Sequence, residues 1–303
     1  MRLGIDLGGT KIEIVALDGG GHVRLRERTA TPSGYENILR AIHNLVVSAE
    51  ARLGVWGSLG VAIPGTLSAR TGLVKNANST ALIGHPLDKD LAQLLDRPVR
   101  LANDANCFAL SEATDGAAKE GRVVFGIIAG TGIGGGVCFD GRLIEGAHLI
   151  AGEWGHNPLP APRPDEMNGP ECYCGRSGCI ETWISGPALA RQFAKRTGKA
   201  MQPAEIALAA AGGERVAAEL MEDFYDRFAR SIASIVNILD PDVIVLGGGL
   251  SNITALTGEL PRRVEFYAFT PESPTRIVRN LHGDSSGVRG AAWLWHGGEL
   301  TDV

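Results

Sequence analysis

The chain has 303 residues, of which 44% are hydrophobic and 21% charged, with a formal net charge of −5. That length allows two domains with real cores, and the mild acidity gives no sign of a nucleic-acid or acidic-membrane partner. No apolar run approaches the roughly 20 residues that span a bilayer, and the N-terminus enters its first strand at once, leaving no room for a signal peptide; five cysteines, three of them clustered, speak for metal and a reducing cytoplasm rather than a disulfide framework.

Residues 3–18 read as a strand, a glycine turn and a second strand, closed by Asp18-Gly19-Gly20-Gly21. Strong β-formers flank the glycines on both sides. In the turn Gly8-Gly9-Thr10-Lys11, glycines let the backbone approach a ligand and free its N–H groups for anionic oxygens. Thr10 adds a hydroxyl and Lys11 a positive charge. Asp6 places a carboxylate at the strand's end, where Mg²⁺ or its water could sit.

Residues 23–28 extend this hairpin with a third strand. Residues 34–53 are helical, with Tyr35, Ile38, Leu39, Ile42, Leu45, Val46 and Ala49 on one face. A strand over 56–63 ends at Pro64-Gly65. The polar stretch 75–80 is either a solvated connection or a surface that reads hydroxyls. A short helix covers 87–95. A strand over 99–101 runs into Ala102-Asn103-Asp104-Ala105-Asn106, and a helix continues to about 118. Asp104 therefore sits where a strand hands over to a helix. It is either a helix cap or a general base at the strand end, where α/β sheets bind ligands. Asn103 beside it would hydrogen-bond the same ligand.

After a shift of 121 residues, Gly9-Thr10 falls on Gly130-Thr131. Residues 123–129 repeat the strand, 130–136 the glycine turn and 137–139 the second strand. Two such hairpins predict two similar half-domains with a cleft between them, and opposed glycine turns suit a polyphosphate. Neither turn is a Walker A loop, because no Gly-Lys-Ser/Thr follows four spacer residues. Neither is a dinucleotide fingerprint, because a strand follows each turn.

Three of the five cysteines, Cys172, Cys174 and Cys179, lie within eight residues, shortly after His156. Among glycines, that spacing predicts a zinc site of one His and three Cys. Four protein ligands leave no open position, so the zinc would be structural. It would fix the loop carrying Glu153 and Glu181 and pre-order a binding surface. Cys107 and Cys138 read as buried thiols. Helices are expected over 186–196, 203–211 and 214–239. The run 243–246 reads as a strand buried on both faces. Gly247-Gly248-Gly249 follows, a usable floor for a nucleoside or phosphate ahead of a helix near 253–266. A strand over 276–278 and a helix over 284–295 close the chain.

Asp6-Leu7-Gly8-Gly9-Thr10-Lys11, the 130–136 turn, Gly152-Glu153-Trp154-Gly155-His156 and the Cys172, Cys174, Cys179 spacing together resemble the ROK family of sugar kinases and repressors. Residues 75–80, 101–106 and 282–290 resemble its bacterial fructokinases, also called mannokinases. The resemblance implies an α/β, duplicated actin-like (ribonuclease H-like) ATPase fold of two lobes, 1–119 and 120–303, with a central cleft. It implies that Asp104 deprotonates a sugar's primary hydroxyl. Asn103, Glu153, His156 and Glu181 bind sugar hydroxyls, with Gly65 and Asn78 completing the pocket. His156, Cys172, Cys174 and Cys179 hold zinc. Gly9, Thr10, Lys11, Thr131, Gly132, Gly248 and Gly249 line the path of ATP. The expected reaction is ATP- and Mg²⁺-dependent phosphorylation of fructose, with mannose as a second substrate, in a homodimer. The alternatives are a glucokinase or N-acetylhexosamine kinase with the same chemistry, a sugar-responsive repressor and a non-catalytic sensor.

Overall fold

The computed structural model describes residues 1–77, 79–269 and 275–295. The chain divides into two compact units. The first comprises Met1–Lys119, Gly141–Ala151 and Asp284–Val303, and the second Glu120–Asp140 and Gly152–Gly283. The units therefore do not follow a single cut between residues 119 and 120. The chain's last helix belongs with its first strands, for a packing reason given below.

The first unit is built on a sheet in the order β3-β2-β1-β4-β7. The hairpin of β1 (Arg2–Leu7) and β2 (Lys11–Leu17) is antiparallel, and β3 (Val23–Ala30) extends it. On its other side β1 runs parallel to β4 (Ser58–Ile63), and β4 parallel to β7 (Val99–Asn103). The register pairs Asp6 with Ala62 and Ile63 with Asn103. Three strand ends thus come out at one edge of the sheet, which is where α/β sheets offer their chain ends to ligands.

One face of this sheet is covered by α1 (Tyr35–Leu53) and α2 (Leu87–Leu95). The predicted face of α1 is buried at Tyr35, Ile38, Leu39, Ile42, Val46 and Ala49, with Leu45 packed at its margin. Against the sheet also lies α9 (Ser286–Trp293), which packs on α3 (Asp104–Thr114) as well. Glycines let this helix come so close. A Cβ built on Gly4 would lie 2.1 Å from the Val288 carbonyl oxygen, one on Gly60 1.9 Å from that of Ala291, and one on Gly290 1.6 Å from that of Cys107. No side chain fits at such distances, so backbone meets backbone and the C-terminal helix is bound into the first unit.

Helix α3 stops at Thr114 rather than near 118. The backbone turns at Asp115-Gly116, and the buried Glu112 carboxylate accepts the Ala117 N–H at 2.9 Å. Likewise α9 spans fewer residues than 284–295, because a single tight turn, Gly283–Ser285, precedes it.

The second unit repeats the plan. Its strands run β9-β8-β11-β12. The hairpin of β8 (Val123–Ala129) and β9 (Ile133–Phe139) is antiparallel, while β11 (Val243–Gly247) is parallel to both β8 and β12 (Ile277–Arg279). This is the duplicated ribonuclease H-like, actin-like arrangement. All five residues of β11 are buried, as their apolar run requires of a central strand. The core behind the sheet rests on α7 (Arg215–Leu239), whose Leu220, Phe224, Phe228, Ile232, Ile235 and Val236 are buried. Two shorter helices, α5 (Gly186–Thr197) and α6 (Pro203–Ala211), pack against it. Among the described residues no helix is long and apolar enough to cross a membrane.

Candidate active site

The functional candidates of the first unit gather at the ends of its parallel strands. Asn103 is the cap of α3. Its side-chain Oδ1 accepts the Ala105 N–H at 2.9 Å, and its Nδ2 donates to the Gly65 carbonyl at 3.2 Å. Asp104 is thus not the cap but the first helical residue, exposed, with one carboxylate oxygen 2.8 Å from the Ala105 N–H. Capping is done by its neighbour, and Asp104 stands in the first helical turn, a position that favours negative charge.

Gly65 is required by its own geometry. Its φ is +132°, and a Cβ there would meet the Lys75 carbonyl oxygen at 2.7 Å. The polar loop after β6 (Val74–Lys75) therefore lies directly against the turn that follows β4. Asn78 falls outside the described residues.

Asp6 leaves the end of β1 partly buried, with its Oδ2 near the start of α9 at Gly287. Burial, then the like charges of Asp104 and Glu13, push its pKa up to about 6, while Lys11 and Arg28 pull the other way. The shift puts Asp104 within electrostatic reach of Asp6 and leaves a partly covered carboxylate that a cation would relieve. Gly9, Thr10 and Lys11 are exposed at the turn, which is closed by a 3.0 Å bond from the Gly8 N–H to the Lys11 carbonyl. Neither Gly8 nor Gly9 has a positive φ, so these glycines give open space rather than unusual backbone.

In the second unit the glycine-rich run 130–136 divides into two parts with different duties. Only Gly130-Thr131-Gly132 forms the turn; Gly134, Gly135 and Gly136 are strand residues of β9. They are small because the segment 152–155 lies on them. A Cβ on Gly152 would meet the Gly135 carbonyl oxygen at 2.3 Å, and one on Gly155 that of Ile133 at 2.1 Å. Trp154 closes the joint, its indole N–H donating to the Gly134 carbonyl at 3.1 Å. This contact fixes Glu153, which is exposed, and His156, which is half-buried.

The third glycine turn lies beside the second. A Cβ on Gly130 would be 3.7 Å from the Gly249 nitrogen, and one on Gly248 would strike the Ala129 carbonyl oxygen at 2.4 Å. Gly248 has φ +77°, and around Gly249 there is open space. Thr131, Gly132, Gly248 and Gly249 thus share one surface of this unit. A single tight turn, Gly249–Asn252, follows, and α8 (Ala255–Tyr267) begins only after it. The glycines are therefore not themselves a helix N-terminus.

His156, Cys172, Cys174 and Cys179 bring their ligand atoms within 4.8 Å of one another. Cys174 Sγ is 3.6 Å from Cys179 Sγ, and Cys172 Sγ is 3.5 Å from His156 Nδ1. A tetrahedral zinc with Zn–S bonds of about 2.3 Å needs ligand separations of roughly 3.5–3.8 Å, so the cluster fits the ion's dimensions. Its loop is held independently by a buried ion cluster. The buried Glu166 carboxylate receives Arg227 at 2.7 Å and Arg230 at 2.9 Å, both from α7. Removing one partner of such a buried group typically costs about 3–5 kcal/mol.

Glu181 opens α4 (Glu181–Ile184), and its Oε2 accepts the Ile133 N–H at 2.9 Å. One of its oxygens is therefore committed to the second glycine turn, and only the other is open to a ligand. Tyr173 is a member of this group that the sequence reading passed over. Its hydroxyl lies 3.0 Å from His156 Nε2. Its place between two ligand cysteines was the available signal.

Comparison with known proteins gives the family and the fold. The ROK family model matches residues 2–297. The N-acetyl-D-glucosamine kinase of Citrobacter koseri is 42% identical over 308 residues, covering all of both chains. A ROK hexokinase structure from Thermus thermophilus aligns with TM-score 0.83 at 32% identity, over 97% of each chain. A ROK family glucokinase from Streptomyces griseus, solved with glucose and AMPPNP, aligns with TM-score 0.75 at 28% identity, over 96% of this chain and 97% of that one. A two-unit protein carrying glycine turns, a strand-end carboxylate and a His/Cys cluster is the general class; this chain belongs to the ROK family.

In the metal-free chain Asp6 should take up its proton near pH 6 instead of the ordinary 3.8. Between those values the folded chain holds more protons than the unfolded one, so this group's contribution to stability falls as pH rises through 6. Carboxyl ¹³C NMR reads the midpoint directly. Asp104→Asn should lower it only partway, because burial is the larger cause; a wild-type midpoint near 4 would contradict the assignment.

Proposed function

We propose that the chain catalyses ATP-dependent phosphorylation of the primary hydroxyl of N-acetyl-D-glucosamine. The observation that carries the sugar is identity of 41–42%, over the full length of both chains, with N-acetyl-D-glucosamine kinases. The fructose reading rested on three short stretches, 75–80, 101–106 and 282–290, and yields to this longer likeness. Mannose falls with it as the favoured second substrate.

Phosphoryl transfer asks a protein mainly for positioning and charge stabilisation. Asp104 would take the proton from the sugar hydroxyl as that oxygen attacks the γ-phosphorus, the bond from that phosphorus to the β,γ-bridging oxygen breaking and ADP leaving. Asn103 and Gly65 would hold neighbouring sugar hydroxyls, as would Asn78, and on the second unit Glu153, His156 and the open oxygen of Glu181. Backbone N–H groups of the turns at Gly9-Thr10-Lys11 and Thr131-Gly132 would receive the phosphates, and Lys11 would add a fixed positive charge. Gly248 and Gly249, with open space around Gly249, suit the nucleoside. Mg²⁺ bound with ATP neutralises phosphate charge, and Asp6, whose pKa is raised by burial and by Asp104, suits a place beside it. The His156, Cys172, Cys174, Cys179 set suits a structural zinc that stiffens the loop between Glu153 and Glu181.

An assay coupled to ADP release over N-acetylglucosamine, glucose, mannose and fructose tests the reading. The highest kcat/KM should fall on N-acetylglucosamine; a preference of tenfold or more for fructose would restore the other assignment. Elemental analysis of the same preparation should find about one zinc per chain. Removal by a chelator should weaken sugar binding more than ATP binding, since the clamp orders sugar ligands. A metal content near zero in active enzyme would refute it.

A further inference from the structure

Tyr173 stands between two of the cysteine ligands and is 79% exposed. Its ring meets His156 edge-on, with centroids 5.1 Å apart, and its hydroxyl is 3.0 Å from His156 Nε2. The opposite nitrogen, Nδ1, faces Cys172 Sγ at 3.5 Å. With Nδ1 given to the metal cluster, Nε2 carries the ring's one N–H. A single N–H serves one acceptor at good geometry. The Tyr173 hydroxyl is that acceptor here, and Glu153 and Glu181 are near enough to act on the same hydroxyl through their charges.

A sugar hydroxyl that is to use His156 must therefore replace the tyrosine. We propose that Tyr173 is a displaceable gate on the sugar site, its hydroxyl holding a sugar hydroxyl's place on His156 Nε2 until the sugar arrives. The inference rests on the reading of His156 as a sugar ligand. Its exposure leaves the side chain free to swing outward, and one hydrogen bond with an edge contact is little to hold it. The gate would keep the imidazole oriented and hydrogen-bonded while the site is empty. It would yield to a ligand that supplies a better-placed hydroxyl.

Tyr173→Phe keeps the ring and removes the competitor. Calorimetry with N-acetylglucosamine, and with glucose and fructose in parallel, should give a sugar Kd about 2–10-fold tighter in the variant, the size of one net hydrogen bond. The gain should appear in KM rather than in kcat. Structural damage would move the Kd the other way, so tightening is specific to a gate. In the wild-type chain labelled at tyrosine Cζ, saturating sugar should shift the resonance that Tyr173→Phe deletes. An unchanged or weaker Kd in the variant, or a Tyr173 signal indifferent to sugar, overturns the gate while the sugar site stands. A wild-type chain that binds none of the three sugars overturns both.

Discussion

Two carboxylates that repel one another are held near the ends of two parallel strands of one sheet, and the first unit depends on keeping them there. Asp6 leaves β1, Asp104 follows β7, and β4 lies between those strands with both pairings parallel. Asn103 takes over the capping of α3 and at the same time holds the Gly65 carbonyl. Asp104 is the next residue, the first of the helix, and its own carboxylate also accepts the Ala105 N–H. Burial first, and the Asp104 charge second, raise the pKa of Asp6. A protein gains by holding such a carboxylate when a cation or a proton-bearing substrate later relieves it.

Glycine is the second theme, and it has two uses that a sequence does not separate. At Gly8-Gly9 and Gly130 to Gly132 it opens the backbone at turns. At Gly4, Gly60 and Gly290 it lets α9 pack with backbone where a Cβ would otherwise stand, at Gly152 and Gly155 it brings the 152–155 segment onto the backbone of β9, and at Gly135 it makes room for the Trp154 ring. Both uses put glycine next to β-formers. That is why 130–136 reads as one long phosphate turn although half of it is strand. It is also why the grouping of Asp284–Val303 with the first unit was hidden: the contact that decides it joins residues almost a whole chain apart.

What depends on local spacing was legible. The two hairpins, the buried face of α1, the long helix α7 and the buried run of β11 follow from period and composition alone. So does the cluster of His156 with three cysteines, because its ligands lie close along the chain. What depends on distant partners was not. The hold of Glu181 on the Ile133 N–H and the pairing of Tyr173 with His156 need the loop folded back on β9. The choice of sugar was the least legible, because hexose kinases share their chemistry and differ in the shape around one or two hydroxyls.

Asp104 as the base is the claim on which the kinase account stands, and Asp104→Asn tests it most directly. The substitution keeps size and can still accept the Ala105 N–H, so sugar Kd by calorimetry should stay within a few-fold of wild type. Single-turnover phosphorylation should slow by about 10²–10⁴-fold. Turnover close to wild type in that variant would contradict the account.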